Sequence, residues 1–318
     1  MQKPRILTAG EVNTELVLKT PYLPEPGHTV LGSGFRYLPG GQGTHTSVAL
    51  ARLGADVILC ARVGDDGNGR DLDEYLAAEG IDVRFLTKAK GENTALSVRL
   101  QEDQSCERRL CFDEAAGKLS DSEIEEAFIC YPDALVLHGD LPPKAYDKII
   151  KINREENIPV FLLSAPDPSR YPLSRFGSCE VLILDEEDAY RQTGIRLSDQ
   201  EKCMKACIAL TQKIKARYVV LRLGEKGSFL FDGLYYHFYP GYDVPQPAGV
   251  SGSAAFSAAL VLEYLRSEGD VPRSCEFATI ATAVFLTRGG GFPSYPTEDD
   301  LLRFIKRNEI AFDLDANP

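Results

Sequence analysis

Six short apolar runs, at residues 5–9, 56–61, 134–138, 159–163, 181–184 and 218–222, are separated by stretches whose apolar residues recur every three to four positions. Strand-length runs alternating with helix-period segments predict βα units, and successive βα units build a mainly parallel sheet covered by helices. Helices are expected over 43–54, 68–80, 143–156, 198–216 and 254–267, most of them closed by Gly or a polar stop. Two excursions break this rhythm. Residues 11–19 with 29–37, and 94–101 with 107–112, alternate apolar and polar side chains as half-exposed antiparallel strands do. They predict a small separate sheet, a lid built from segments about 11–37 and 94–112, on a single α/β domain that spans 1–318.

Charge narrows the partners. A formal net charge of −12 disfavours nucleic acid and anionic membrane surfaces, which both require clustered Lys and Arg. The longest weakly polar run, 247–262, is interrupted by Gly and Ser and is too short for a bilayer. Residues 1–5 lead straight into an apolar run without a leader pattern, so the cytoplasm is the expected location. The eight cysteines lack metal-ribbon spacing and are read as reduced thiols, with Cys203 and Cys207 as ordinary half-buried residues of one helix. His28, His138 and His237 are scattered and are expected to be structural or surface residues. Tyr235, Tyr236, Tyr239 and Tyr242 are expected on an edge strand rather than on a base-stacking platform. No Ser-His-Asp order supports hydrolase chemistry.

Chemistry concentrates in two glycine-rich places. Ala248-Gly249-Val250-Ser251-Gly252-Ser253-Ala254 is a small-residue turn that runs into an apolar helix, which would aim its N-terminal amides at an anion such as phosphate. A kinase acting on a hydroxyl also needs a carboxylate there, yet no Asp or Glu lies between Asp243 and Glu263. The second place, Pro39-Gly40-Gly41-Gln42-Gly43-Thr44-His45, opens a helix and suits close backbone approach to a polyol or sugar. Arg62-Val63-Gly64-Asp65-Asp66-Gly67-Asn68-Gly69 and Glu79-Gly80-Ile81-Asp82 follow it.

With these motifs in this order, from about residue 6 to 304, the chain resembles the ribokinase-like (PfkB-type) carbohydrate kinases. The resemblance implies a three-layer α/β/α sandwich with a mainly parallel central sheet and a small β-sheet lid. It further implies ATP- and Mg²⁺-dependent phosphoryl transfer to a sugar or nucleoside hydroxyl. On the sugar side Asn13 and Glu15, in Gly10-Glu11-Val12-Asn13-Thr14-Glu15, match the residues that grip hydroxyls. Gly41 keeps the first signature, while Gln42 stands where Lys is usual and His45 where Asn is usual. Asp140 matches a further acidic sugar contact, or else is a strand-end turn residue. A homodimer formed through the lid is the expected assembly.

The nucleotide half departs further. Asp185 and Asp188 stand where the family has Asn-x-x-Glu; they either help hold Mg²⁺ through water or simply enrich a helix N-terminus in acid. Arg222, Gly224 and Gly227 resemble the adenosine-phosphate loop with Arg222 in place of Thr, facing either a phosphate or Asp185 and Asp188. Thr287 to Pro296, with Gly291, resembles the last nucleotide-side loop. In the second signature the family reads Asp-Thr-Thr-Gly-Ala-Gly-Asp: here the base position is Ala254, the anion hole is Ser251, Gly252 and Ser253, and the leading Asp is Ala248, which weakens the case for a monovalent-cation site. Three readings follow: a sugar or nucleoside kinase impaired at its base, a pseudokinase that binds a sugar or nucleotide as a sensor or regulatory partner, and unrelated chemistry on the same scaffold.

Overall fold

The computed structural model describes residues 3–102, 107–112, 115–163, 169, 172–245, 251–289 and 291–313. Ala248, Gly290 and Cys106 lie outside the described residues. In chain order the strands are β1 (Arg5–Ala9), β2 (Asn13–Thr20), β3 (Gly34–Gly40), β4 (Asp56–Gly64), β5 (Leu86–Ala89), β6 (Leu96–Glu102), β7 (Glu107–Phe112), β8 (Ala134–His138), β9 (Val160–Leu163), β10 (Ser178–Asp185), β11 (Lys215–Arg222), β12 (Gly227–Phe231) and β13 (Tyr236–Pro240). The helices are α1 (Gln42–Arg52), α2 (Gly67–Ala78), α3 (Asp121–Phe128), α4 (Pro143–Glu156), α5 (Glu186–Thr193), α6 (Gln200–Thr211), α7 (Ser253–Arg266), α8 (Val271–Thr287) and α9 (Glu298–Arg307).

The large sheet has the order β13-β12-β11-β10-β9-β8-β1-β4-β5. It is parallel except for β12 and β13, which add an antiparallel edge. Period-two alternation sends neighbouring residues of each buried strand to opposite cores. Ile6, Val57, Val136, Phe161 and Val181 pack with α1, α7 and α8, whereas Leu7, Ile58, Leu135, Leu162 and Leu182 pack with α3, α4 and α6. Helices thus cover both faces of the sheet. The second sheet, of order β3-β2-β6-β7, is the smaller one foreseen from the two alternating segments.

Several boundaries differ from expectation. The helix expected to reach residue 216 stops at Thr211, because the Leu210 carbonyl accepts from both Lys213 and Ile214 and Lys215 already pairs in β11. The strand expected over 29–37 is β3, at Gly34–Gly40. Cys203 and Cys207 are fully buried rather than half-buried.

Chain order reverses between β1 and β8: from β1 the sheet runs one way to β4 and β5, from β8 the other way to β11. In open α/β sheets such a switch point leaves a crevice at the carboxyl ends of the two strands, and ligands bind there.

Candidate active site

At the carboxyl end of β1 lies Gly10-Glu11, and at that of β8 lies Gly139-Asp140. The start of α1 is fastened against the first of these. Gly43 donates to the Glu11 carbonyl at 2.9 Å, and a Cβ on Gly43 would sit 2.8 Å from the Gly10 oxygen. Gly41 adopts φ +91°, where a Cβ would lie 2.7 Å from the Glu11 carbonyl carbon. These glycines permit close approach to the chain's own strand corner. Gln42, the first residue of α1, is exposed.

Asn13 opens β2 almost fully buried, donates from Nδ2 to Glu11 Oε1 at 2.7 Å, and leaves its buried Oδ1 without a partner. Glu15 is held by two arginines of the smaller sheet, Arg99 at 3.2 Å and Arg109 at 3.6 Å. His138, expected to be structural or at the surface, is buried. It is 2% exposed, packs so tightly that a Cβ on Gly10 would lie 2.6 Å from its Cδ2, and neither ring nitrogen has a hydrogen-bond partner. An unpaired buried imidazole is unusual, and this one lies at the switch point. Burial, with a smaller push from His45, lowers its pKa to about 3, so it is neutral.

Asp140 is partly exposed as a residue, but its Oδ1 is buried and unpaired. Burial first, then the carboxylates of Glu11 and Asp188, push its pKa up to about 7. His45 hydrogen-bonds through Nδ1 to Tyr295 Oη at 2.9 Å and stacks on Phe292 with centroids 4.3 Å apart. Burial, reinforced by Arg109 and Arg99, lowers its pKa to about 4. The turn at Phe292–Ser294, which follows Gly291, packs against α1 through His45, and Arg52 anchors it by donating to the Phe292 carbonyl at 2.6 Å.

The nucleotide-side residues come together in a cavity of about 320 Å³ whose walls include Asp185, Arg222, Gly224, Gly227, Ser251 and Gly252. Asp188 and Gly291, also expected there, are not part of its wall. Tyr242, expected on the edge strand, instead lies beyond β13 and forms a wall of this cavity. Asp185 caps α5, its Oδ1 accepting from the Asp188 amide at 2.8 Å, while its other oxygen lies 3.6 Å from Arg222 Nη2. Burial lowers the Arg222 pKa against the pull of Asp185 and Asp188, and its Nε is buried without a partner. Among the described residues no group of three His, Cys, Asp or Glu is arranged to hold a metal ion. Asp185 is thus first of all a helix cap and the partner of Arg222.

The N-terminus of α7 reaches the wall of this cavity through Ser251 and Gly252. Gly252 is its N-cap, Ser253 donates to Ser251 Oγ at 3.3 Å, and no acidic residue occupies its first turn. A Cβ on Gly252 would lie 2.6 Å from Thr282 Cγ2, so α8 presses on this loop from behind. Ala254 is 4% exposed and its methyl joins the core beneath the sheet. No helix among the described residues is long and apolar enough to cross a membrane.

A mainly parallel α/β sheet with helices on both faces, a smaller sheet and a switch-point crevice define an open α/β protein of the class that binds ligands at the carboxyl ends of its strands. The pfkB family carbohydrate kinase model matches residues 3–298, and the chain belongs to that family. A ribokinase from Haemophilus influenzae is 26% identical over 306 residues, covering 93% of this chain and 97% of the relative. An ATP-dependent ribose-1-phosphate kinase from Halopiger xanaduensis is 26% identical over 313 residues, covering 95% and 98%. Among solved structures, Arabidopsis thaliana ribokinase complexed with ribose and ATP superposes with a TM-score of 0.84 at 21% identity over 96% of this chain and 99% of that one. Giardia lamblia ribokinase gives 0.86 at 17% identity, over 96% and 100%.

Proposed function

We propose that the chain binds a sugar at the carboxyl ends of β1 and β8, binds ATP with Mg²⁺ in the neighbouring cavity, and transfers the terminal phosphoryl group slowly because Ala254 occupies the base position. The observation that carries the sugar site is the set of buried polar atoms left unpaired at one crevice: Asn13 Oδ1, both His138 nitrogens and Asp140 Oδ1. Unpaired buried polar atoms cost about 1–3 kcal/mol each, and a polyhydroxylated ligand supplies both donors and acceptors. The cavity fits a nucleotide by its chemistry. Phe256, Ala283 and Leu286 offer apolar wall, Gly224 and Gly227 offer backbone, and Arg222 with the open α7 N-terminus favours phosphate. ATP supplies the electrophilic phosphorus, and Mg²⁺ bound with it, with Asp185 and Asp188 nearby to act through water, would neutralise its charge. Ser251 and Gly252 would face the transferring group. The methyl of Ala254 neither accepts the hydroxyl proton nor orients the nucleophile. Complete absence of turnover with intact sugar binding would instead make the chain a pseudokinase with a sensing or regulatory role.

Calorimetry with pentoses tests the reading. Asn13→Ala removes the unpaired acceptor and releases Glu11, so sugar affinity is expected to fall about 10- to 100-fold. Tight ATP binding with no sugar or nucleoside ligand in the wild type contradicts it.

The smaller sheet is also read as a dimerising lid. Cross-strand register puts Leu16, Leu18, Phe35, Tyr37, Leu110 and Phe112 on the face opposite Glu15 and Arg99. Phe35, Tyr37, Leu110 and Phe112 are 70%, 60%, 58% and 49% exposed, an apolar surface that a second copy would cover. Tyr37→Glu with Leu110→Glu is expected to halve the mass seen by sedimentation; a monomeric wild type rules the dimer out.

A further inference from the structure

Asp140 stands out among the carboxylates of the crevice because the others are already engaged. Glu15 is held by Arg99 and Arg109. Asp185 caps α5 and faces Arg222. Glu11 accepts from Asn13. Asp243 lies between Tyr242 and Val244, both of which line the nucleotide cavity, and is not itself part of the wall. Asp140 alone among these presents a buried oxygen, Oδ1, with no hydrogen bond.

Its place in the fold matters as much as its free lone pair. Asp140 follows β8 on one side of the switch point, with Gly10-Glu11 of β1 on the other. The charged groups that face it come from both halves of the site: Glu11 at the β1–β2 corner on the sugar side, and Asp188 of α5 on the nucleotide side. A carboxylate so placed lies between a bound sugar and the cavity that would hold the phosphates.

We infer that Asp140 is the proton acceptor for the residual phosphoryl transfer, in place of the carboxylate missing at Ala254. The inference rests on the kinase reading above. In the step, the sugar hydroxyl gives its proton to Asp140 Oδ1 while its oxygen forms a bond to the γ-phosphorus of ATP. The bond between that phosphorus and the bridging β,γ oxygen breaks, and ADP departs with the electron pair. The products are a sugar phosphate, ADP and a protonated Asp140, which then loses its proton to solvent. Burial, reinforced by repulsion from Glu11 and Asp188, raises the proton affinity of Asp140, makes it a stronger acceptor than an ordinary carboxylate, and puts its working range near neutrality.

The test follows ADP release from MgATP with D-ribose, 2-deoxy-D-ribose and D-fructose, from pH 5.5 to 8.5, alongside calorimetric sugar binding. Only the deprotonated acid can accept a proton, so wild-type kcat is expected to climb about tenfold per pH unit below 7 and to level off above it. Asp140→Asn keeps the shape and a hydrogen-bonding end. It is expected to lower kcat at least about 100-fold, to remove the pH dependence, and to change KM far less. Ala254→Asp combined with Asp140→Asn is expected to recover turnover, showing that the single variant lost a proton acceptor and not its fold. Equal turnover in wild type and Asp140→Asn overturns the inference, as does a flat wild-type profile. A wild type that binds sugar but turns over only once Ala254→Asp is introduced also overturns it, while leaving the sugar-kinase ancestry of the site intact. Absence of sugar binding in every form overturns the inference together with the functional reading beneath it.

Discussion

Ala254→Asp is expected to raise phosphoryl transfer by about 10²–10⁴-fold, the usual contribution of a positioned general base. Ala254 lies in the first turn of α7, beside the Gly252 N-cap, in a helix whose first turn carries no acid. A carboxylate there gains from the uncapped amides of the helix N-terminus, which also hold its pKa low. Its cost is burial, since Ala254 is 4% exposed. The anion hole limits the gain. Ser251 and Ser253 carry side chains where the family has glycines, and Ser251 Oγ already accepts from the Ser253 amide that would otherwise point at a phosphoryl oxygen. Rebuilding Ser251-Gly252-Ser253 as Gly-Ala-Gly with Ala254→Asp should therefore exceed the single change, except that an Ala at 252 meets Thr282 Cγ2 at 2.6 Å and calls for Thr282→Ser as well. Single-turnover kinetics over a sugar panel decide the matter. Wild-type turnover at about 1–100 s⁻¹, as in ordinary kinases, would show that Ala254 imposes no impairment at all.

Much of this architecture was legible because it is local. The strands at 5–9 and 134–138 and the helix at 143–156 were read to the residue, since short apolar runs and helical periodicity carry their own boundaries. Helix α8 was not read. Val271–Thr287 is buried on nearly every side, so it lacks the polar stripe by which an amphipathic helix declares itself. The site divides in the same way. Asn13, Glu15, Gly41, Asp140, Arg222 and Gly224 could be picked out from motif positions, but what each one touches depends on chain segments far apart in sequence. His138 looked like a stray histidine until Gly10 of β1 came against its ring. The stacking of Phe292, beside Gly291, on His45 joins segments about 250 residues apart and could not be read from the motif. The raised proton affinity of Asp140 comes first from its burial in the fold and then from Glu11 and Asp188, which lie far from it in sequence. A hint was present in the sequence for His138 alone: it directly precedes Gly139-Asp140 at a strand end, the position where α/β enzymes place their chemistry.

Gly41→Ala is expected to destabilise the protein by about 3 kcal/mol and to abolish sugar binding together with it. Two costs add. At φ +91° and ψ 147° the Gly41 backbone lies in a region occupied almost only by glycine, which costs a residue with a Cβ about 1–3 kcal/mol. Overpacking costs about 1–3 kcal/mol more, because the new methyl would lie 2.7 Å from the Glu11 carbonyl carbon and 3.1 Å from the Asn13 amide nitrogen. Neither neighbour yields freely. The Glu11 carbonyl is fixed by the Gly43 amide, and the Glu11 side chain by Asn13, so relief of the clash moves the strand corner that presents Asn13 to the crevice. Stability and binding should therefore fall together, which separates this site from glycines that serve only a turn. Gly67→Ala is the control. Gly67 opens α2 with nothing near its absent Cβ, and the substitution should shift stability by no more than about 0.5 kcal/mol. Urea denaturation of both variants beside the wild type, with calorimetry on the folded fraction, measures the difference. Matching midpoints for Gly41→Ala and Gly67→Ala would show that the corner between β1 and β2 is free to move, and would remove the argument that the close packing of α1 against it sets the geometry of the sugar site.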